Sequence, residues 1–267
     1  MRREKSVSPS GRFPGCDHRQ DKAADMPSGA YMKKILHILR RESAQARPYW
    51  EDFYFETQDA GATVATALSS LHAENRISPA QGSRFRPVLW EHSCLQKRCG
   101  ACSMIIDGVP ALACDTRLSQ LKGDTVRLEP LRKFPVVADL LVDRSVMMEN
   151  LKDLAVWLEA EAGAGSEDMA FEASRCLQCG LCLEICPNFA AGGSFSGMAA
   201  MAPLSRLIAR LPEEQRKQTA RNYKKGVYSG CGKSLACRDV CPAEIKIDEL
   251  LVKSNAAAVW NRWNSIK

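Results

Sequence analysis

Long apolar runs are missing from this 267-residue chain. No stretch approaches about 18 consecutive apolar residues, so no segment reads as a membrane-spanning helix, and no signal-peptide apolar core lies near the start. No G-x-G-x-x-G follows a strand-like run, which leaves neither flavin nor nicotinamide an obvious home. Only four histidines occur, at 18, 37, 72 and 92, too scattered to form a catalytic constellation. His92, two residues before a cysteine, reads as a packing or supporting residue rather than a base. One-signed charge is scarce too: residues 1–47 hold eleven basic and five acidic side chains, while residues 48–267 hold 26 of each. The net +6 therefore belongs to the front of the chain, and the neutral body lacks the basic face of a nucleic-acid binder. Work at a membrane would need a partner to hold the chain there.

What the chain does have is cysteine, twelve residues of it, against an otherwise ordinary 45% hydrophobic and 25% charged composition. The count falls well short of a secreted disulfide miniprotein, and the length suggests two domains. Residues 1–30 mix Arg, Ser, Pro and Gly without periodicity and read as a disordered extension. Glu4, Asp17, Asp21 and Asp25 argue against a transit peptide, and the true start could lie at Met26 or Met32. From Met32 the pattern becomes strand-like: 34–40, 49–56, Pro87–Trp90, and 103–113 hinged at Asp107-Gly108, with 126–129 as the last strand. Residues 60–76 place Val64, Leu68 and Leu71 at helical spacing. The first half is thus a small mixed sheet with one crossing helix. After Pro135 the strands are expected to stop, with helix over 136–162, 198–225 and 243–263, a loop at 163–166, and Pro203 and Pro212 as punctuation. An α+β chain with a junction near 136–145 follows. Trp260 and Trp263 read as core or partner contacts.

The cysteines fall into three groups. Cys94, Cys99 and Cys102, followed by Cys114, give C-x4-C-x2-C…C, the plant-type spacing for a [2Fe–2S] centre. A tight loop lets three thiolates converge while its N–H groups face the sulfides, and the hairpin returns the fourth. A structural zinc site is the competing reading, although the usual paired C-x2-C pattern is absent. Cys176, Cys179, Cys182 and Cys186-Pro187 form the bacterial ferredoxin run, whose last cysteine ligates the other cluster in two-cluster proteins. A second run, Cys231, Cys237 and Cys241-Pro242, has Ser234 at its second cysteine position. Exchanging last cysteines assigns Cys176, Cys179, Cys182 and Cys241 to a [4Fe–4S] cluster. Cys186, Cys231 and Cys237 remain for a [3Fe–4S] cluster; the alternative is that Ser234 oxygen or water completes a fourth iron. Cys16 is left over as a free thiol in the extension. Thiolate clusters of this kind argue for a reducing compartment over structural disulfides.

Three such centres on one chain suggest an electron wire without an active site of its own. Their order, with the segment Phe134-Pro135-Val136-Val137-Ala138-Asp139-Leu140-Leu141-Val142-Asp143-Arg144, resembles the iron–sulfur subunit of the succinate dehydrogenase and fumarate reductase family over nearly all of residues 32–255. The resemblance implies a β-grasp ferredoxin domain over 31–138 and an all-α helical ferredoxin domain over 139–267. It also implies a flavoprotein partner that interconverts succinate and fumarate at FAD, a membrane anchor with quinone, and a peripheral place on the cytoplasmic side of a bacterial inner membrane, with the mitochondrial inner membrane second. An alternative partner is a heterodisulfide reductase-like or thiol-linked fumarate reductase complex. Two departures stand out. Leu95-Gln96-Lys97-Arg98 replaces a loop that often carries glycine, so the loop should be locally positive and raise the potential of its centre. Phe189-Ala190-Ala191 and Gly232 stand where quinone-site aromatics and a His often occur, so those contacts do not carry over.

Overall fold

The computed structural model describes residues 31–73, 86–158 and 167–260. The N-terminal extension with Cys16, the loop at 163–166 and Trp263 lie outside these residues.

Two nine-residue strands, β1 (Met32–Arg40) and β2 (Tyr49–Thr57), pair antiparallel in full register. Along β1 the side chains of Met32, Lys34, Leu36, Ile38 and Arg40 all turn inward, as period-two alternation requires. The helix α1 (Val64–Ala73) begins at Thr63, whose hydroxyl accepts the N–H of Thr66 at 3.1 Å. It buries Val64, Leu68 and Leu71. The hairpin β3 (Ser103–Ile106) and β4 (Val109–Leu112) turns at Asp107 and Gly108, both with positive φ (48° and 82°), as a type I′ turn demands. Strand β5 (Thr125–Glu129) pairs parallel to β1 and antiparallel to β3, giving a mixed sheet of order β2-β1-β5-β3-β4.

Two expectations fail for one reason. Pro87–Trp90 is not a strand, because its backbone is engaged elsewhere: Leu89 N–H donates to Asp139 at 2.9 Å, Leu89 carbonyl accepts from Leu140 at 3.0 Å, and Pro87 carbonyl accepts from Arg40. Residues 136–142 are not helical but form a small ribbon, β6 (Val136–Ala138) and β7 (Leu141–Val142), turned at Asp139 with φ 45°. Buried Asp139 is the common partner of both segments, and apolar periodicity does not announce it.

Helices follow: α2 (Ser145–Asp153), α3 (Glu167–Ser174), the short α4 (Leu181–Glu184), α5 (Gly197–Arg210), α6 (Glu213–Gly226), the short α7 (Ala236–Asp239) and α8 (Ile247–Asn255). The span 198–225 is thus two helices broken at Leu211-Pro212, whereas Pro203 lies inside α5 instead of interrupting it. One apolar core runs from Leu36, Leu128 and Leu131 of the sheet half through Phe134 to Leu181, Leu183 and Phe189 of the helical half. A second core, around Met201, Leu204, Tyr223 and Leu250, fills the far end of the helical half. Among the described residues no helix is long and apolar enough to cross a membrane.

Candidate iron–sulfur sites

The loop that leads into β3 folds around its own thiols. Leu95, Lys97 and Gly100 take positive φ (53°, 58° and 73°), which turns successive N–H groups inward. Gln96 and Arg98 N–H donate to Cys94 Sγ at 3.3 Å each, Lys97 N–H to Cys114 Sγ at 3.3 Å, and Ala101 N–H to Cys99 Sγ at 3.5 Å. The hairpin returns Cys114 beside Cys102, with an N–H to sulfur distance of 3.5 Å. The Gln96 and Arg98 donors pull the Cys94 thiol down to about 7, while burial pushes Cys102 up to about 12. Lys97 holds the left-handed backbone despite its Cβ, at a cost of about 1–2 kcal/mol. Its charge is not free: Nζ lies 2.9 Å from Asp115 and 3.9 Å from Glu244. The expected positive loop is therefore largely compensated at Lys97. His92 stacks on Trp90 at 4.4 Å, a packing contact.

The two later runs interleave. Cys176, Cys179 and Cys182 line one apolar cavity together with Cys241 of the other run, under Met198, Ile245 and Ile247. Cys186, Cys231 and Cys237 line a second cavity with Ser234, and Met198 stands between the two. Asn188 ties the runs together, donating to Gly230 carbonyl at 2.7 Å. Burial raises the thiol pKa of Cys176, of Cys179 to about 11, of Cys182 well above the usual value, and of Cys237 to about 12. Repulsion among neighbouring thiolates adds to each: Cys241 and Cys176 act on Cys179, and Cys186 and Cys231 on Cys237. Crowded buried thiols ionise only when cationic iron offsets this cost, and the donor set suits such a group. Among the described residues no three His, Cys, Asp or Glu side chains close on a single metal ion. The second and third cysteine sets each line a cavity.

Three supporting residues are not singled out by the cysteine spacing. Arg144 joins the first loop to the second run, donating from Nη1 to Gly100 and Cys179 carbonyls at 3.1 Å each and from Nη2 to Ala101 carbonyl at 3.3 Å. Gly100 makes this approach possible, since a Cβ there would lie 2.6 Å from Cys179 Cβ. Lys133 bonds Cys186 carbonyl. Gln178 is the third, with Nε2 at 3.2 Å from Cys176 Sγ and 2.9 Å from Ala199 carbonyl. Its sequence signal is Pro203, which lacks the N–H that would otherwise meet the Ala199 carbonyl.

Comparison with known proteins agrees with this geometry. Residues 35–149 match the 2Fe-2S iron-sulfur cluster binding domain family and residues 172–245 the 4Fe-4S dicluster domain family. The chain is 33% identical over 231 residues to the succinate dehydrogenase iron-sulfur subunit of Bacillus subtilis, covering 82% of this chain and 89% of that protein. The chain belongs to the family of succinate dehydrogenase and fumarate reductase iron–sulfur subunits. It is also 33% identical over 197 residues to the fumarate reductase iron-sulfur subunit of Haemophilus influenzae, covering 65% of this chain and 73% of that one. Its fold matches a chain of the Mycobacterium smegmatis Sdh1 complex in the apo form with TM-score 0.67 at 22% identity, over 88% of this chain and 98% of that one. As a family member the chain is an iron–sulfur oxidoreductase subunit with a 2Fe-2S domain followed by a 4Fe-4S domain.

Proposed function

We propose that eleven cysteines hold three clusters: [2Fe–2S] on Cys94, Cys99, Cys102 and Cys114, [4Fe–4S] on Cys176, Cys179, Cys182 and Cys241, and [3Fe–4S] on Cys186, Cys231 and Cys237. When bound, these groups supply single-electron transfer, and the chain relays electrons between the FAD of a flavoprotein subunit and a quinone at a membrane anchor. Succinate and fumarate chemistry then takes place on the flavoprotein. In this reading residues 31–138 are a β-grasp domain and residues from 139 an α-helical ferredoxin domain, with the ribbon β6–β7 at their junction. The subunit is peripheral, on the cytoplasmic side of a bacterial inner membrane.

The observation that carries the reading is the exchange of last cysteines. The first cavity takes Cys241 from the second run, and the second takes Cys186 from the first. The chain's own residues then have clear tasks. Loop N–H groups support the first thiolates, apolar walls exclude water from the second set, and Ser234 leaves the third set one thiol short. Iron, sulfide and EPR analysis of the purified subunit tests this. An oxidised three-iron signal is expected, and Ser234→Cys should convert it to a four-iron one. Zinc in place of iron and sulfide, or no three-iron signal under any oxidising condition, refutes the assignment. Co-purification with a covalent-flavin protein that turns over succinate or fumarate tests the partner.

A further inference from the structure

Pro203 and Gln178 lie 25 residues apart in sequence yet form one device. In a regular helix the N–H of residue 203 would donate to the carbonyl of Ala199, but proline has no N–H. That carbonyl sits in the core of α5, where Ala199 is 4% exposed, and an unpaired buried carbonyl is costly. The Gln178 side chain fills the gap: its Nε2 donates to Ala199 carbonyl at 2.9 Å. An amide NH2 group has two N–H bonds in one plane, so fixing one on the carbonyl aims the other. It reaches Cys176 Sγ at 3.2 Å. Both neighbours are acceptors, a carbonyl and a thiolate, so the NH2 end rather than the oxygen must face them. The opposite end pays no part in this: Oε1 is buried without a hydrogen-bond partner. The backbone of Gln178 is also held in the left-handed region, at φ 51°. An amide with an orphaned oxygen and a strained backbone is a costly side chain to keep unless its donor end has a use.

We infer that Gln178 raises the reduction potential of the centre held by Cys176, Cys179, Cys182 and Cys241, and that the carbonyl freed by Pro203 locks it in place. The inference rests on the cluster reading above. A donor on a ligand sulfur stabilises the state with more negative charge, which is the reduced one. Gln178 is a positioning and tuning residue, not a ligand. The one electron the centre gains brings no proton with it, so the amide acts through its dipole alone.

Redox titration of the intact complex, followed by EPR, tests this with Gln178→Leu, which keeps the volume and removes the donor. The midpoint of that one four-iron centre should move to lower potential, with the other two centres unmoved. A coupling from an exchangeable proton, seen by electron–nuclear double resonance in D2O, should be lost with it. Pro203→Ala leaves Gln178 chemically intact but returns an N–H to the Ala199 carbonyl, and should shift the same midpoint in the same direction by less. An unchanged midpoint in Gln178→Leu with full cluster content overturns the inference, as does a shift shared by all three centres. Should Gln178→Leu lose the centre, an unchanged midpoint and proton coupling in Pro203→Ala overturns the lock. A wild-type protein without a four-iron centre, or one whose centre survives Cys176→Ala unaltered, refutes the cluster reading itself and this inference along with it.

Discussion

Replacing Asp139 by alanine should loosen the whole junction between the sheet and the ribbon. Its carboxylate is fully buried and accepts Arg40 Nε at 3.1 Å, Arg86 Nη2 at 2.6 Å, and the N–H groups of Arg41 and Leu89 at 2.9 Å each. Arg40 is itself 1% exposed and left with Glu51 as its other carboxylate. Removing one member of a buried ion pair costs about 3–5 kcal/mol because the other charge stays buried. The stranded N–H groups of Arg41 and Leu89 add to this, while water entering the space would relieve part of it. Hydrogen–deuterium exchange of the β1 and β2 amides is the assay. At about 1.4 kcal/mol per factor of ten, protection should fall at least about a hundredfold. Asp139→Asn, which keeps an acceptor oxygen but no charge, should fall between alanine and wild type. The pH dependence has a definite sign. Burial raises the Asp139 pKa, but the Arg40 hydrogen bond, the Leu89 and Arg41 N–H groups and the Arg40 charge outweigh it, leaving it below the usual value. A depressed carboxylate pKa adds stability that is fully present above the unfolded value of about 3.9 and is lost as pH falls through the folded one. The difference between Asp139→Ala and wild type should therefore hold steady through neutral pH and shrink in acid. Protection within tenfold of wild type at pH 7, or a difference that grows on acidification, refutes the reasoning.

Other perturbations address the two halves and the far core. Arg144→Met removes three bonds from a charged donor to Gly100, Ala101 and Cys179 carbonyls, and should weaken the contact of the two loops by about 2–4 kcal/mol, read as faster limited proteolysis near residue 144. Gly100→Ala places a Cβ 2.6 Å from Cys179 Cβ at φ 73°, an overpacking of about 1–3 kcal/mol; it should lower the thermal midpoint, and an unchanged midpoint would argue against so close an approach. Tyr223→Phe strands Asn255, which accepts the Tyr223 hydroxyl at 2.8 Å in the second core. The urea midpoint should fall by an amount worth about 1–2 kcal/mol, with the slope unaltered.

Much of the chain was determined by relations between near neighbours. Asp107-Gly108 can only turn in one way because both residues must take positive φ, so the hairpin that returns Cys114 was legible. The helix over Val64–Ala73 and strands β1, β2 and β5 follow from the spacing of apolar side chains. Cysteine spacing likewise pointed to a 2Fe-2S domain followed by a 4Fe-4S domain, because a thiolate loop is a local object. Tertiary structure decided what depends on partners far along the chain. Asp139 meets Arg40 across 99 residues and so turns an expected helix into a ribbon and an expected strand into an irregular segment. Pro203 lies within a helix, and Gln178 from another segment donates to the Ala199 carbonyl that the proline leaves free. Lys97 carries a charge that sequence counts as free and that Asp115 and Glu244 compensate. Local sterics act through bonds whose order is written in the sequence, whereas desolvated charges and unpaired carbonyls accept whichever partner the fold brings within reach.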